Sequence, residues 1–131
     1  MIIYEVVKVN NVDYESVLSD YLDSNYDKIL AFQDGKIISE PQRQLVIRVD
    51  NDKDIMWISK REFDSYLSEL PISTKEFMFQ MKNVGVEIEA GANIKQRMNA
   101  GWKDVSKSAT AVYKIKLSTL GERVEVKYAA S

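Results

Sequence analysis

The chain has 131 residues, 45% apolar and 10% aromatic, with 18 Lys and Arg against 20 Asp and Glu for a formal charge of -2. That is enough apolar material for one hydrophobic core, and the absence of cysteine excludes a disulfide framework and a thiolate metal site. The absence of histidine removes the commonest general base, the usual zinc ligands and every Ser-His or Cys-His nucleophile pair.

In chain order, Met1 to Val9 is rich in Ile, Tyr and Val and is expected to be a strand, closed by the turn residues Asn10-Asn11. This start is too short and too acidic for a secretory signal. Asp13 is placed to cap a helix whose Tyr14, Val17, Leu18, Tyr21 and Leu22 fall at i, i+3, i+4, i+7 and i+8, with Asn25 at its exit. Lys28 to Phe32 and Lys36 to Ile38 flank Gln33-Asp34-Gly35 and are expected to pair as a hairpin. Pro41 interrupts the sheet. Gln44 to Asp50 and Ile55 to Ile58 then form a second hairpin, with Leu45, Ile47 and Val49 on one face and Trp57 in the core.

Two serine-led segments follow. Ser59-Lys60-Arg61-Glu62 and Ser73-Thr74-Lys75-Glu76 both read S-x-x-E, the pattern in which serine caps a free helix amide and glutamate bonds back to the serine amide. The first helix buries Phe63, Tyr66 and Leu67 and is stopped by Pro71; the second buries Phe77, Met78 and Met81 and ends near Gly85. Val84, Val86 and Ile88 alternate as a strand. Ala111 to Leu117 returns as another, and Glu122 to Tyr128 has the alternation of a final strand.

The expected fold is therefore α+β: two capped helices and a β-hairpin wing forming a winged-helix-like unit, with an additional N-terminal helix and antiparallel strands. One domain is expected over 1–131, with an N-terminal α/β part to about residue 50, the winged-helix-like part over about 51–117 and a C-terminal strand or tail over 118–131. No apolar run reaches the length of a membrane span, and a cytoplasmic setting is expected.

Charge is unevenly distributed along the chain. Residues 1–58 hold 6 Lys and Arg against 11 Asp and Glu, residues 59–90 hold 4 against 6, and residues 91–131 hold 8 against 3. Local field steers association with polyanions more than total charge does, so the basic C-terminal third points to nucleic acid. Ordinary solvated surface is the bland alternative.

Within that third the candidate residues are Lys95, Arg97, Trp102, Lys103 and Lys107, with Lys114 and Lys116 on the returning strand. Arg and Lys neutralise phosphates, and an indole offers a flat surface for an unpaired base. Alternatively Trp102 folds back onto the sheet while the lysines keep the loop soluble. The second capped helix adds Lys75 and Lys82 among its outward positions.

Enzymatic readings fare poorly, and no activity is expected. Neither a phosphate-cradling loop nor a dinucleotide fingerprint occurs. Asp50, Asp52 and Asp54 have the first three spacings of a calcium loop, but Ile55 stands where glycine is required and Arg61 where a bidentate carboxylate is required. A solvated turn explains them better. Glu87 and Glu89 share a strand face without a third carboxylate at a telling distance. No metal or cofactor is expected.

The run Leu45-Val46-Ile47-Arg48-Val49-Asp50, then Ile55-Met56-Trp57-Ile58-Ser59, Phe63, Leu67, Gly85-Val86, Lys95-Gln96-Arg97-Met98 and Gly101-Trp102, resembles the C-terminal region of replication helicase/primase proteins of phages and mobile elements. The resemblance covers about residues 16–117 and rests on scattered positions. It implies a DNA-replication accessory domain, with Lys95, Arg97 and Trp102 as the matching loop residues. The chain departs from such proteins in lacking the ATPase motor. The expected partner is DNA, single strands included, alongside replication proteins. A contrasting expectation is a protein-interaction module, such as a phage inhibitor or assembly factor, that uses its acidic N-terminal half.

Overall fold

A computed structural model describes residues 12–103 and 108–128; the expected strand at Met1 to Val9 and the candidate Lys107 lie outside the described residues. Among the described residues the architecture is mixed α+β, with three α-helices packed on one face of a mixed sheet. In chain order come α1 (Tyr14–Ser24), β1 (Ile29–Gln33), β2 (Lys36–Ser39), β3 (Ile47–Asp50), β4 (Ile55–Ser59), α2 (Lys60–Glu69), α3 (Thr74–Asn83), β5 (Ile88–Glu89), β6 (Lys95–Gln96) and β7 (Thr110–Lys116). The strand order is β2-β1-β3-β4-β7-β5, and β6 pairs with the start of β7.

Local chemistry explains most of the boundaries. The Asp13 carboxylate accepts the Ser16 amide at 3.2 Å and starts α1, which buries Leu18, Tyr21 and Leu22. Asp34 and Gly35 both have positive φ, 54° and 71°, the backbone that a two-residue hairpin turn requires. The Asp52 carboxylate in the next turn accepts both of their amides at 2.9 Å. Those bonds, from Gly35 and then Asp34, hold its carboxyl below the usual range.

Three expectations are corrected. First, the sheet is mixed, because β1 pairs with β3 in parallel, Ile29 to Phe32 against Ile47 to Asp50. The chain returns from β2 to the start of β1 without a helix, and Gln42, Arg43 and Val46 donate their amides to Asp27 and Lys28 on the way. Second, Ser59 makes no side-chain cap. It is also the last residue of β4, and its amide already donates to Val46 O at 2.9 Å, so the donor that Glu62 needs for a capping box is occupied. Third, Glu122 to Tyr128 forms no strand. Val124, Val126 and Tyr128 pack against the core, which satisfies their alternation by one-sided burial without a ladder.

Ser73 does cap, accepting the Glu76 amide at 3.3 Å. Ser73→Ala is therefore expected to lower stability by about 0.5 to 2 kcal/mol, and Ser59→Ala to stay within about 0.5 kcal/mol of the parent. Urea denaturation midpoints measure both, and equal losses would contradict this reading of the two helix starts.

Strand register separates two faces. Ile29, Ile47, Ile58 and Tyr113 align in one row and Ala31, Val49, Met56 and Ile115 in the next, all buried beneath the helices. Phe63 of α2 sits at the centre of this side, with ring centroids 4.8 Å from Tyr21, 5.0 Å from Phe77, 5.3 Å from Tyr113 and 6.0 Å from Tyr66. The opposite face carries Leu30, Arg48, Trp57 and Lys114 in one row and Phe32, Asp50, Ile55 and Lys116 in the next. Trp57 is buried as expected, but on this second face.

Among the described residues no helix is long and apolar enough to cross a membrane.

Candidate nucleic-acid interface

The segment after β6 crosses the second face of the sheet and is bound down there. Arg48 Nη1 donates to Met98 O at 2.9 Å and to Ala100 O at 2.6 Å. Its guanidinium carbon lies 4.5 Å from the Phe32 ring centroid and 5.8 Å from that of Trp57. Burial lowers the Arg48 pKa from its ordinary value, while the neighbouring Asp50 carboxylate opposes that shift. Gly101 has a φ of +79°, which favours glycine, whereas a Cβ there would meet the Phe32 ring only at an ordinary contact distance of 3.5 Å.

This docking decides how the loop candidates stand. Trp102 is half-buried, its indole N–H donates to Glu40 Oε1 at 2.8 Å, and the Lys103 ammonium lies 4.7 Å from its ring centroid. Arg97 is also half-buried, whereas Lys95 and Lys103 are exposed. Lys95 pairs with Ala111, two residues from the inward-facing Tyr113, while Lys114 belongs to the other alternation. Lys95 and Lys114 thus leave the sheet on opposite sides. The four described loop candidates, Lys95, Arg97, Trp102 and Lys103, do not form one patch with the returning strand.

A second arrangement brings together residues that are distant in sequence. The chain from Glu87 to Gln96 runs along the free edge of β7: Lys116 N donates to Glu87 O at 2.9 Å, Val112 N donates to Ile94 O at 3.1 Å, and β5 and β6 pair between and beyond these points. Beside this edge lies an open groove of about 630 Å³ lined by Lys53 from the β3–β4 turn, Lys82 from α3, and Lys114 and Lys116 from β7. Asp54, Glu87 and Glu89 share its walls, with Ile55, Val86 and Ile88 at its apolar base.

The acids are partly occupied. Asp54 accepts the Ser118 amide at 2.9 Å and the Ser118 hydroxyl at 2.5 Å, and Glu87 pairs with Lys116 at 3.6 Å. Lys53, Lys82 and Lys114 make no ion pair with another described residue. Three lysines from three segments therefore line one concavity, where walls of lower dielectric strengthen the field of any charge they hold there.

Of the helix candidates, both Lys75 and Lys82 are exposed on α3, and Lys82 alone lines the groove. Lys53 was not legible as a candidate, because it stands among the aspartates of a turn that reads as plain solvated surface. Only the folding of β4 against β7 carries it to Lys114 and Lys116. Among the described residues, no group of three or more acidic side chains has the arrangement of a metal site.

No protein-family model, curated protein or solved structure matches the chain.

Proposed function

We propose that this chain is a non-enzymatic nucleic-acid-binding unit that takes a phosphate backbone into the groove between α3, β5 and β7. One observation carries the reading: Lys53, Lys82, Lys114 and Lys116 line a single open groove, and three of them have no ion-pair partner among the described residues. Lysine ammonium groups are compact point charges suited to phosphate oxygens, and their binding to a nucleic-acid backbone releases condensed counterions. The non-enzymatic part rests on the missing histidine and cysteine. Element order from α2 through α3 to the β5–β7 hairpin supports a winged-helix-like unit, although β7 also pairs with β4 and the hairpin is built into the sheet. A role accessory to phage or mobile-element DNA replication is part of the proposal and rests on the scattered resemblance described above.

The test is fluorescence anisotropy with labelled oligonucleotides across a salt series. The wild-type chain is expected to bind with a linear fall of log affinity against log salt. Lys82→Ala and Lys114→Ala should each flatten that slope by about 0.7 on single strands or 0.9 on duplex, with little dependence on base sequence. Absence of binding at low salt would overturn the proposal and favour the protein-interaction reading.

A further inference from the structure

Resting on that groove, we infer that the nucleic acid it holds is single-stranded and that Phe79 of α3 is the platform on which one of its bases stacks. Phe79 is 58% exposed, more than any other large apolar side chain among the described residues, and it forms no ring contact with another described aromatic residue. Helical geometry accounts for its position. Phe77 and Met81 face the core, whereas Lys75, Phe79, Lys82 and Asn83 fall at i, i+4, i+7 and i+8 and form one outward stripe. Lys82 of that stripe also lines the groove, so Phe79 stands about one helical turn from one of the lysines assigned to phosphate.

The neighbouring acid points elsewhere. Glu76 accepts the Gln80 side-chain amide at 2.9 Å and acts electrostatically on Tyr14 of α1. An exposed aromatic residue with lysines at i−4 and i+3 has the composition of a single-strand site, where bases stack while ammonium groups follow the backbone. In a duplex the base faces are already stacked on one another and offer nothing to a ring at the edge of a groove. Trp102 is less suited, because its indole edge is bonded to Glu40 and Lys103 lies by its ring.

The experiment compares wild type, Phe79→Ala, Phe79→Trp and Lys82→Ala on labelled oligo-dT, on a backbone-matched strand of abasic spacers and on a duplex of equal length. Phe79→Ala is expected to weaken oligo-dT binding by roughly 5- to 150-fold, with the salt slope unchanged and with the abasic strand and the duplex bound as by wild type. Phe79→Trp should retain oligo-dT binding. Lys82→Ala should weaken all three ligands and flatten their slopes. If Phe79→Ala binds oligo-dT like wild type while Lys82→Ala is impaired, the base platform is overturned and the groove stands. Duplex bound as tightly as oligo-dT would overturn the single-strand assignment, and no binding to any ligand would overturn the groove itself. Because Phe79 is exposed, unchanged urea midpoints are expected for its variants and verify that the fold is intact.

Discussion

Phe63→Ala is expected to lower the unfolding free energy by about 3 to 5 kcal/mol, the largest loss of any single substitution considered. The side chain is 1% exposed and touches aromatic rings from α1, α2, α3 and β7, so truncation leaves a cavity where all three helices meet the sheet. These edge-on and tilted neighbours cannot close the gap without leaving favourable ring geometries. Against a total of about 5 to 15 kcal/mol for a domain of ordinary stability, the loss is a third or more. Equilibrium urea unfolding measures it, and a loss below about 1 kcal/mol would contradict the packing described for this core.

Arg48→Ala is expected to cost about 2 to 4 kcal/mol through a different mechanism, the loss of charge-assisted hydrogen bonds and of a cation beside two rings. One guanidinium nitrogen serves the carbonyls of Met98 and Ala100, and hydrogen bonds to charged groups contribute more than neutral ones. Removal also strips the Phe32 and Trp57 rings of their cationic neighbour. The visible consequence should be local as well as global, with amides from Arg97 to Lys103 losing hydrogen-exchange protection before the β3–β4 ladder does. Arg48→Lys should not restore the parent, because a compact, strongly hydrated ammonium does not replace a delocalised guanidinium held 4.5 Å from the Phe32 ring centroid. If Arg48→Ala left the loop as protected as wild type, the loop would be held by something other than this arginine.

Much of the local structure was legible because short-range rules decide it. The Asp34-Gly35 turn, the Asp13 and Ser73 caps and the amphipathic faces of α1, α2 and α3 each depend on residues within a few positions of one another. What escaped depends on pairing across the chain. Nothing local reports that β1 runs parallel to β3, and nothing near Ser59 reveals that its amide belongs to the ladder with Val46. The loop is the instructive case, since Lys95 to Lys103 has the composition of a mobile basic arm, yet Arg48, some fifty residues earlier, draws its carbonyls onto the sheet. One trace of this existed in the sequence: an arginine between Ile47 and Val49 in a strand requires acceptors from somewhere, because a buried guanidinium left unpaired is costly. Three of the four groove lysines were legible. Lys82, Lys114 and Lys116 stood out by charge, whereas Lys53 joins them only through the pairing of β4 with β7.

An amide titration by two-dimensional NMR, with unlabelled oligo-dT added to the isotope-labelled chain at low salt, locates the bound strand without any mutation. Perturbations should cluster at Lys53, Lys82, Lys114 and Lys116 and extend along α3 to Phe79, while the amides from Arg97 to Lys103 stay near their free positions. Perturbations confined to Arg97 to Lys103, or none at saturating oligonucleotide, would contradict the assignment of the groove as the nucleic-acid interface.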